Sequence, residues 1–381
     1  MKRTLSYFFI AIFALIFTLN AQAAPKIIPK APTIAAKSYI LIDYNSSKVI
    51  AQKNADMPVA PASITKVMTA YVIFAELEEG NIQLSDLVTV SKKAWKTPGS
   101  RMFIKVNSKV SVEDLLQGMI IQSGNDASVA LAEHIAGSED TFAALMNQHA
   151  QELGMSNTHF LNSTGLPNKN HKTSAKDLAI LANSLIKRFP QYYKWYSTKE
   201  FTYNNIKQSN RNKLLWRDSS VDGMKTGFTD DAGYCLLSSA KRNNMRLISV
   251  VLGTNSANAR AQESQKLLNF GFRFYESHIV YPAQKTLKSV RVFKGHTKQL
   301  PVGVVKDLAV TIPRGQYKNL KPSININMPL VAPIAKGQKL GKVELRLDGK
   351  ILSISPLVAL KAINEGSLWQ QAKDSALMML E

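Results

Sequence analysis

Before Ser277 many apolar residues of this chain keep helical spacing, and after it short segments alternate residue by residue. Both patterns need their own core, and 381 residues are enough for two. In the first part, Ser38 to Asp43 and Lys48 to Gln52 read as strands joined at the turn Asn45-Ser46-Ser47. Ile64, Val67, Met68, Tyr71 and Val72 then repeat as on one buried helix face, from a start near Ser63. Helices are expected over 112–122, 127–135, 139–153, 174–187 and 259–275, with neighbouring strands over 233–240 and 245–253. A strand hairpin, a helical block, paired strands and a closing helix predict an α+β domain with a mainly antiparallel sheet, over 38–276. Beyond Ser277, runs such as Val290-Arg291-Val292-Phe293 and Lys342 to Leu347 alternate, and Asp348-Gly349 marks a hairpin turn. A small all-β domain is expected over 280–360.

The ends of the chain carry different signals. Lys2 and Arg3 precede an apolar run from Tyr7 to Leu19, followed by Ala21-Gln22-Ala23. A positive start, a short apolar stretch and a small-x-small site form a secretory signal peptide over 1–23, with a linker over 24–37. The run is short for a permanent membrane span. At the other end, over 363–381, Leu368, Trp369, Ala372, Ala376, Met379 and Leu380 fall on one helical face. Such a helix lies in a membrane interface or docks on the β domain. The net charge of +21 invites a polyanion. An exported chain meets lipid headgroups and wall polymers before nucleic acid, so no nucleic-acid partner is expected. The single Cys235 cannot form an internal disulfide and reads as a small buried hydrophobe. The six histidines are scattered, with no metal-ligand spacing, so no metal or other cofactor is expected.

Three short motifs carry chemistry. In Ser63-Ile64-Thr65-Lys66 the serine and lysine share a helix face at i and i+3, so the amine reaches the hydroxyl. A serine needs such a base to become a nucleophile, and lysine serves only with a lowered pKa. Ser123-Gly124-Asn125 lies between two expected helices and offers a proton-relaying hydroxyl and an amide. Lys225-Thr226-Gly227 precedes the strand at 233–240, and its ammonium and hydroxyl suit a terminal carboxylate. Lys225 is also expected to be the cation that lowers the Lys66 pKa, and Gly227 to let a substrate strand lie close. The first two motifs recur elsewhere, as at Ser184–Lys187 and Ser256–Asn258, so order and spacing select this set.

The ordered trio, Ser-x-x-Lys, Ser-x-Asn and Lys-Thr-Gly, resembles the low-molecular-mass penicillin-binding proteins that act as serine D-Ala-D-Ala carboxypeptidases. The likeness extends through Pro61 to Thr69, Ile121 to Ala127, Asn210 to Trp216 and Val221 to Thr229, and covers almost the whole exported chain. It implies a transpeptidase-type domain shared with serine β-lactamases. It also implies that Ser63 is acylated, Lys66 is the base and Ser123 relays protons. Asn125 would hold the substrate, and Lys225, Thr226 and Arg260 its terminal carboxylate. The backbone N–H groups of Ser63 and Phe228 would form the oxyanion hole. Some members carry histidine where this chain has Phe228; the expected oxyanion role uses the backbone and not that side chain.

The implied reaction expels the terminal D-Ala from a peptidoglycan pentapeptide and then hydrolyses the acyl-enzyme, and a β-lactam acylates Ser63 in place of the peptide. Localisation on the outer face of the inner membrane, in the periplasm, follows from the same likeness. Two rivals share the trio. A D,D-endopeptidase usually lacks the second domain. A class A β-lactamase adds Glu-x-x-Leu-Asn, which Glu200 to Asn204 match only with Tyr203 in place of leucine.

Overall fold

A five-stranded antiparallel sheet organises the first part of the protein, in a computed structural model that describes residues 28–379. The signal segment expected over 1–23 lies outside the described residues. We label the sheet strands β1 (Ser38–Asp43), β2 (Val49–Lys53), β3 (Val221–Thr229), β4 (Gly233–Arg242) and β5 (Met245–Thr254). Their order is β2-β1-β5-β4-β3, so β3 is an edge. Side chains of a strand alternate between faces, and here both faces are covered. Leu41, Leu236, Leu247 and Val251 form one core with the helix Ala257–Phe274. Ile40, Ile42, Leu237, Ile248 and Val250 form the other with the helical block. Dry packing on both faces accounts for the near-continuous apolar runs of β4 and β5.

The helices begin where the sequence supplies caps. Ser111, Ser138, Ser174 and Ser256 each accept a backbone N–H three residues on. The helix Lys66–Glu79 departs from expectation. It buries every residue from Lys66 to Ala75, not one face, because it runs through the middle of the helical block. The helix expected over 112–122 also changes character. It is α-helical over Val112–Gln117 and widens to a π turn over Gly118–Gln122. Gly118 belongs there because a Cβ would stand 2.4 Å from Met102 Sδ.

Beyond Phe274 the chain is built from strands. Tyr275–Tyr281 pairs with Leu308–Pro313, and a six-stranded sheet centres on the hairpin Lys339–Leu347/Lys350–Ala359. Asp348 and Gly349 turn that hairpin with φ of 48° and 81°, both left-handed, as a tight primed turn requires. This part meets the first through the turn after β1. Ser277 Oγ donates to Asp43 Oδ1 at 3.1 Å, and Lys48 Nζ donates to the Thr311 carbonyl at 3.1 Å. The helix expected from Ile363 begins at Leu368 and runs to Met378. Ile363 is instead extended and exchanges two backbone hydrogen bonds with Ile334. The helix turns its polar side inward, where Asp374 is buried and accepts from the Lys294 N–H. Leu368, Trp369 and Met379 face out, at 84%, 78% and 87% exposure.

Candidate active site

Ser63 sits on a backbone turn, not at the first residue of an α-helix. A 3-10 turn, Ala62–Thr65, precedes the helix that starts at Lys66. Ala62 holds φ at 48°, a left-handed value that costs energy for any residue with a Cβ. Two distant glycines fit against this turn. A Cβ on Gly165 would lie 1.9 Å from the Ala62 carbonyl oxygen, and one on Gly227 would lie 3.1 Å from the Ala62 Cβ. The missing side chain of Gly227 therefore lets β3 pack on the nucleophile turn. This is a nearer reason for glycine than the expected approach of a substrate strand.

The Lys66 amine is buried and bound on three sides. Its Nζ lies 3.2 Å from Ser63 Oγ, 2.6 Å from Asn125 Oδ1 and 2.7 Å from the Thr164 carbonyl. Burial, helped by the Arg211 charge, lowers its pKa to about 7, against the opposing pull of Asp126 and Glu139. Near neutrality both protonation states are then populated, as a general base needs. Arg211 is a further cation beside the expected Lys225, and the repulsion between the two amines is mutual. Burial and the charges of Lys66, Arg211 and Arg260 push Lys225 well below the usual lysine range. A bound carboxylate would reverse that pressure.

The second motif is shaped by the π turn. Ser123 ends it with φ at 72°, and its buried Oγ has no hydrogen-bond partner among the described residues. An orphan buried hydroxyl in a cleft is available to a substrate or a moving proton. Asn125, expected to hold substrate, is already engaged. Its Oδ1 accepts from Lys66 and its Nδ2 donates to the Pro98 carbonyl at 2.6 Å. Asp126 next to it accepts the backbone N–H groups of Met102, Phe103 and Ile104, which fixes the loop over the cleft.

The third motif precedes β4, as expected, and itself lies within a strand, the edge strand β3. An edge presents backbone groups to an incoming peptide. Arg260 stands in the first turn of the helix Ala257–Phe274, lines the cleft and donates from Nη1 to the Gly227 carbonyl at 3.0 Å. Phe228 is half exposed, and its ring lies 4.3 Å from that of Tyr234.

Ser63, Ser123, Asn125, Thr226, Gly227, Phe228 and Arg260 line one cleft of about 460 Å³. Lys66 and Lys225 lie buried beneath, within range of each other's charge. Sequence reasoning missed two members. Arg211 lines the cleft between Asn210 and Asn212, whose buried amides pin the loop. Arg211 falls within the segment Asn210 to Trp216 of the family likeness, yet its spacing carries no chemical signature. Thr164 supplies only a carbonyl, on a loop tied by Asn162 Oδ1 to Thr164 and Gly165, and a carbonyl leaves no mark on a sequence.

The family described as D-alanyl-D-alanine carboxypeptidase matches residues 25–256, and the one described as penicillin-binding protein 5, C-terminal domain, matches 275–365. The chain is 44% identical to the D-alanyl-D-alanine carboxypeptidase DacC of Escherichia coli, over 96% of this chain and 93% of that one. It is similar in structure to penicillin binding protein 5 from Haemophilus influenzae. The TM-score is 0.84, with 43% identity, covering 89% of this chain and all of that one. Penicillin-binding protein D2 from Listeria monocytogenes, in an ampicillin-bound form, matches 64% of this chain and all of that one. There the TM-score is 0.60 and the identity 29%.

Proposed function

This chain belongs to the D-alanyl-D-alanine carboxypeptidase family, and on that premise we propose that it removes the terminal D-Ala of peptidoglycan pentapeptides through an acyl-enzyme on Ser63. It is a serine-type peptidase, a hydrolase and a penicillin-binding protein. The observation that carries the residue assignment is the Lys66 amine, buried, brought to about 7 and 3.2 Å from the Ser63 hydroxyl.

The neutral amine of Lys66 takes the Ser63 proton as Oγ attacks the penultimate carbonyl. The N–H groups of Ser63 and Phe228 receive the oxyanion, an arrangement in which one lost donor typically costs about 10²–10³ in rate. Lys225, Thr226 and Arg260 receive the terminal carboxylate, and Arg211 adds charge to the same end of the cleft. Ser123 passes the proton from Lys66 to the departing amine, which leaves as D-Ala. Water, deprotonated by Lys66, then cleaves the ester. A β-lactam forms the same ester but keeps its leaving group tethered, so the adduct persists. The ampicillin-bound Listeria relative supports this reading.

Export and a membrane-surface position are part of the proposal. The terminal helix supports them by pointing its apolar residues outward while a polar residue docks it. No helix among the described residues is long and apolar enough to cross a membrane, and the surface contact proposed here rests on the exposed apolar residues of the terminal helix. Mass spectrometry after penicillin or pentapeptide treatment tests the enzyme assignment. The adduct is expected on Ser63 and free D-Ala as product. An adduct on another side chain, or cleavage of cross-linked dimers alone, overturns it.

A further inference from the structure

Three arginines from three segments line one hollow of about 440 Å³ away from the cleft, with Asn243, Asn269 and Phe272. Arg242 lies at the end of β4, Arg273 in the last turn of the helix Ala257–Phe274, and Arg314 just after the strand Leu308–Pro313. No carboxylate lines the hollow among the described residues. Arg242 donates from Nη2 to Asp218 Oδ2 at 2.7 Å, and its guanidinium lies 4.5 Å from the Phe272 ring centre. Arg314 donates from Nη2 to the carbonyls of Phe272 and Tyr275, at 2.7 and 2.9 Å. A helix C-terminus attracts cations, which accounts for Arg314. It also favours Arg273, in the last turn, whose described contact is the Phe274 ring at 5.5 Å, and Arg242 is held by Asp218. Two of the three guanidinium planes are thus held before any ligand arrives, and no hydrogen bond of Arg242 Nη1 or Arg314 Nη1 is described. Planar forks fixed in this way suit an oxyanion.

We propose that this hollow is a second, non-catalytic binding point for a carboxylate of the polymeric wall substrate, an inference that rests on the carboxypeptidase reading. Hydrolysis of the terminal amide replaces one terminal carboxylate by another, so every uncrosslinked stem ends in a carboxylate before and after reaction. A polymer therefore presents such groups in series. Arg260 in the cleft and Arg273 in the hollow are thirteen residues apart on one helix, roughly 20 Å. Five extended residues span at most about 17 Å. A soluble pentapeptide whose terminal carboxylate lies in the cleft has no second terminal carboxylate to offer the hollow, whereas a neighbouring stem on the same polymer can fill it, and two-point binding raises apparent affinity.

The full chain and its Arg273→Gln, Arg273→Glu and Arg273→Lys variants are compared on isolated wall material and on soluble pentapeptide. Arg273→Gln is expected to weaken retention on sedimented wall material and to raise the KM for it about three- to tenfold, with kcat unchanged. Arg273→Glu should lose more and Arg273→Lys less, while D-Ala release from the pentapeptide stays at the wild-type level. Equal retention of all four proteins overturns the proposal. So does an Arg273-dependent binding to vesicles of anionic phospholipid with none to wall material, which would make the ligand a lipid phosphate. Absence of D-Ala release by the wild type on both substrates overturns the carboxypeptidase reading instead, because retention is measured without turnover.

Discussion

Asn125 Oδ1 lies 2.6 Å from Lys66 Nζ, so the amide of the second motif grips the base of the first. An ammonium has three N–H donors, and Ser63, Asn125 and Thr164 accept one each. A neutral amine keeps two donors and offers its lone pair, and the acceptor left over is the Ser63 hydroxyl, which can donate instead.

Replacing that amide by a carboxylate, Asn125→Asp, puts an anion against the buried amine and raises its pKa. Penicillin acylation at pH 7 is expected to fall about tenfold or more, and the rate should recover toward alkaline pH. Stopped-flow acylation across pH 6–10 checks this. A drop that persists at every pH would mean that Asn125 acts on the substrate and not on Lys66.

The wild-type acylation rate should rise with pH through about 7, the value that burial and Arg211 impose on Lys66. Arg211→Gln removes a charge that lowers both amines, so the limb should move to higher pH, and the KM for a carboxylate-ended peptide should rise. An unmoved limb would show that the Arg211 charge does not help to set the base.

Stability should follow the same amine. Between about 7 and the ordinary lysine value of 10.5 the unfolded chain binds a proton that folded Lys66 has released. Stability from this group therefore rises with pH across that window, and Lys225 acts in the same direction. Lys66→Met should flatten the slope of Tm against pH between 7 and 9. His171, held near 4 by burial and bonded to Thr65, works at the acid end. Its contribution is lost as pH falls from 6.5 to about 4.

Two glycine substitutions should differ in kind. Gly165→Ala meets the Ala62 carbonyl at 1.9 Å with φ at 82°, so it should cost about 2–4 kcal/mol and abolish penicillin labelling. Gly227→Ala meets softer contacts at 3.1 Å, so the chain should fold while acylation drops about ten- to a hundredfold. Thermal melts beside fluorescent-penicillin gels separate the two. A Gly165→Ala effect weaker than that of Gly227→Ala would argue that β3, and not the Thr164–Gly165 loop, positions the turn.

The α+β organisation was legible because apolar spacing is local. The structure adds serine caps at Ser111, Ser138, Ser174 and Ser256, beside the starts that this spacing marks. Departures came where neighbours override local preference. The π turn at Gly118–Gln122 depends on Met102, the full burial of the helix Lys66–Glu79 on the surrounding block, and the late start of the last helix on Ile334.

For the site, the residue types and their order named the chemistry, since a serine and lysine at i and i+3 are neighbours through the geometry of a single turn. Arg211, the Thr164 carbonyl and the fit of Gly165 and Gly227 around Ala62 became visible only in three dimensions. Desolvation and charge act through space, and the groups that set the Lys66 pKa arrive from segments up to 145 residues away along the chain. Which amine is poised, and which charges help burial to poise it, are therefore properties of the packed protein.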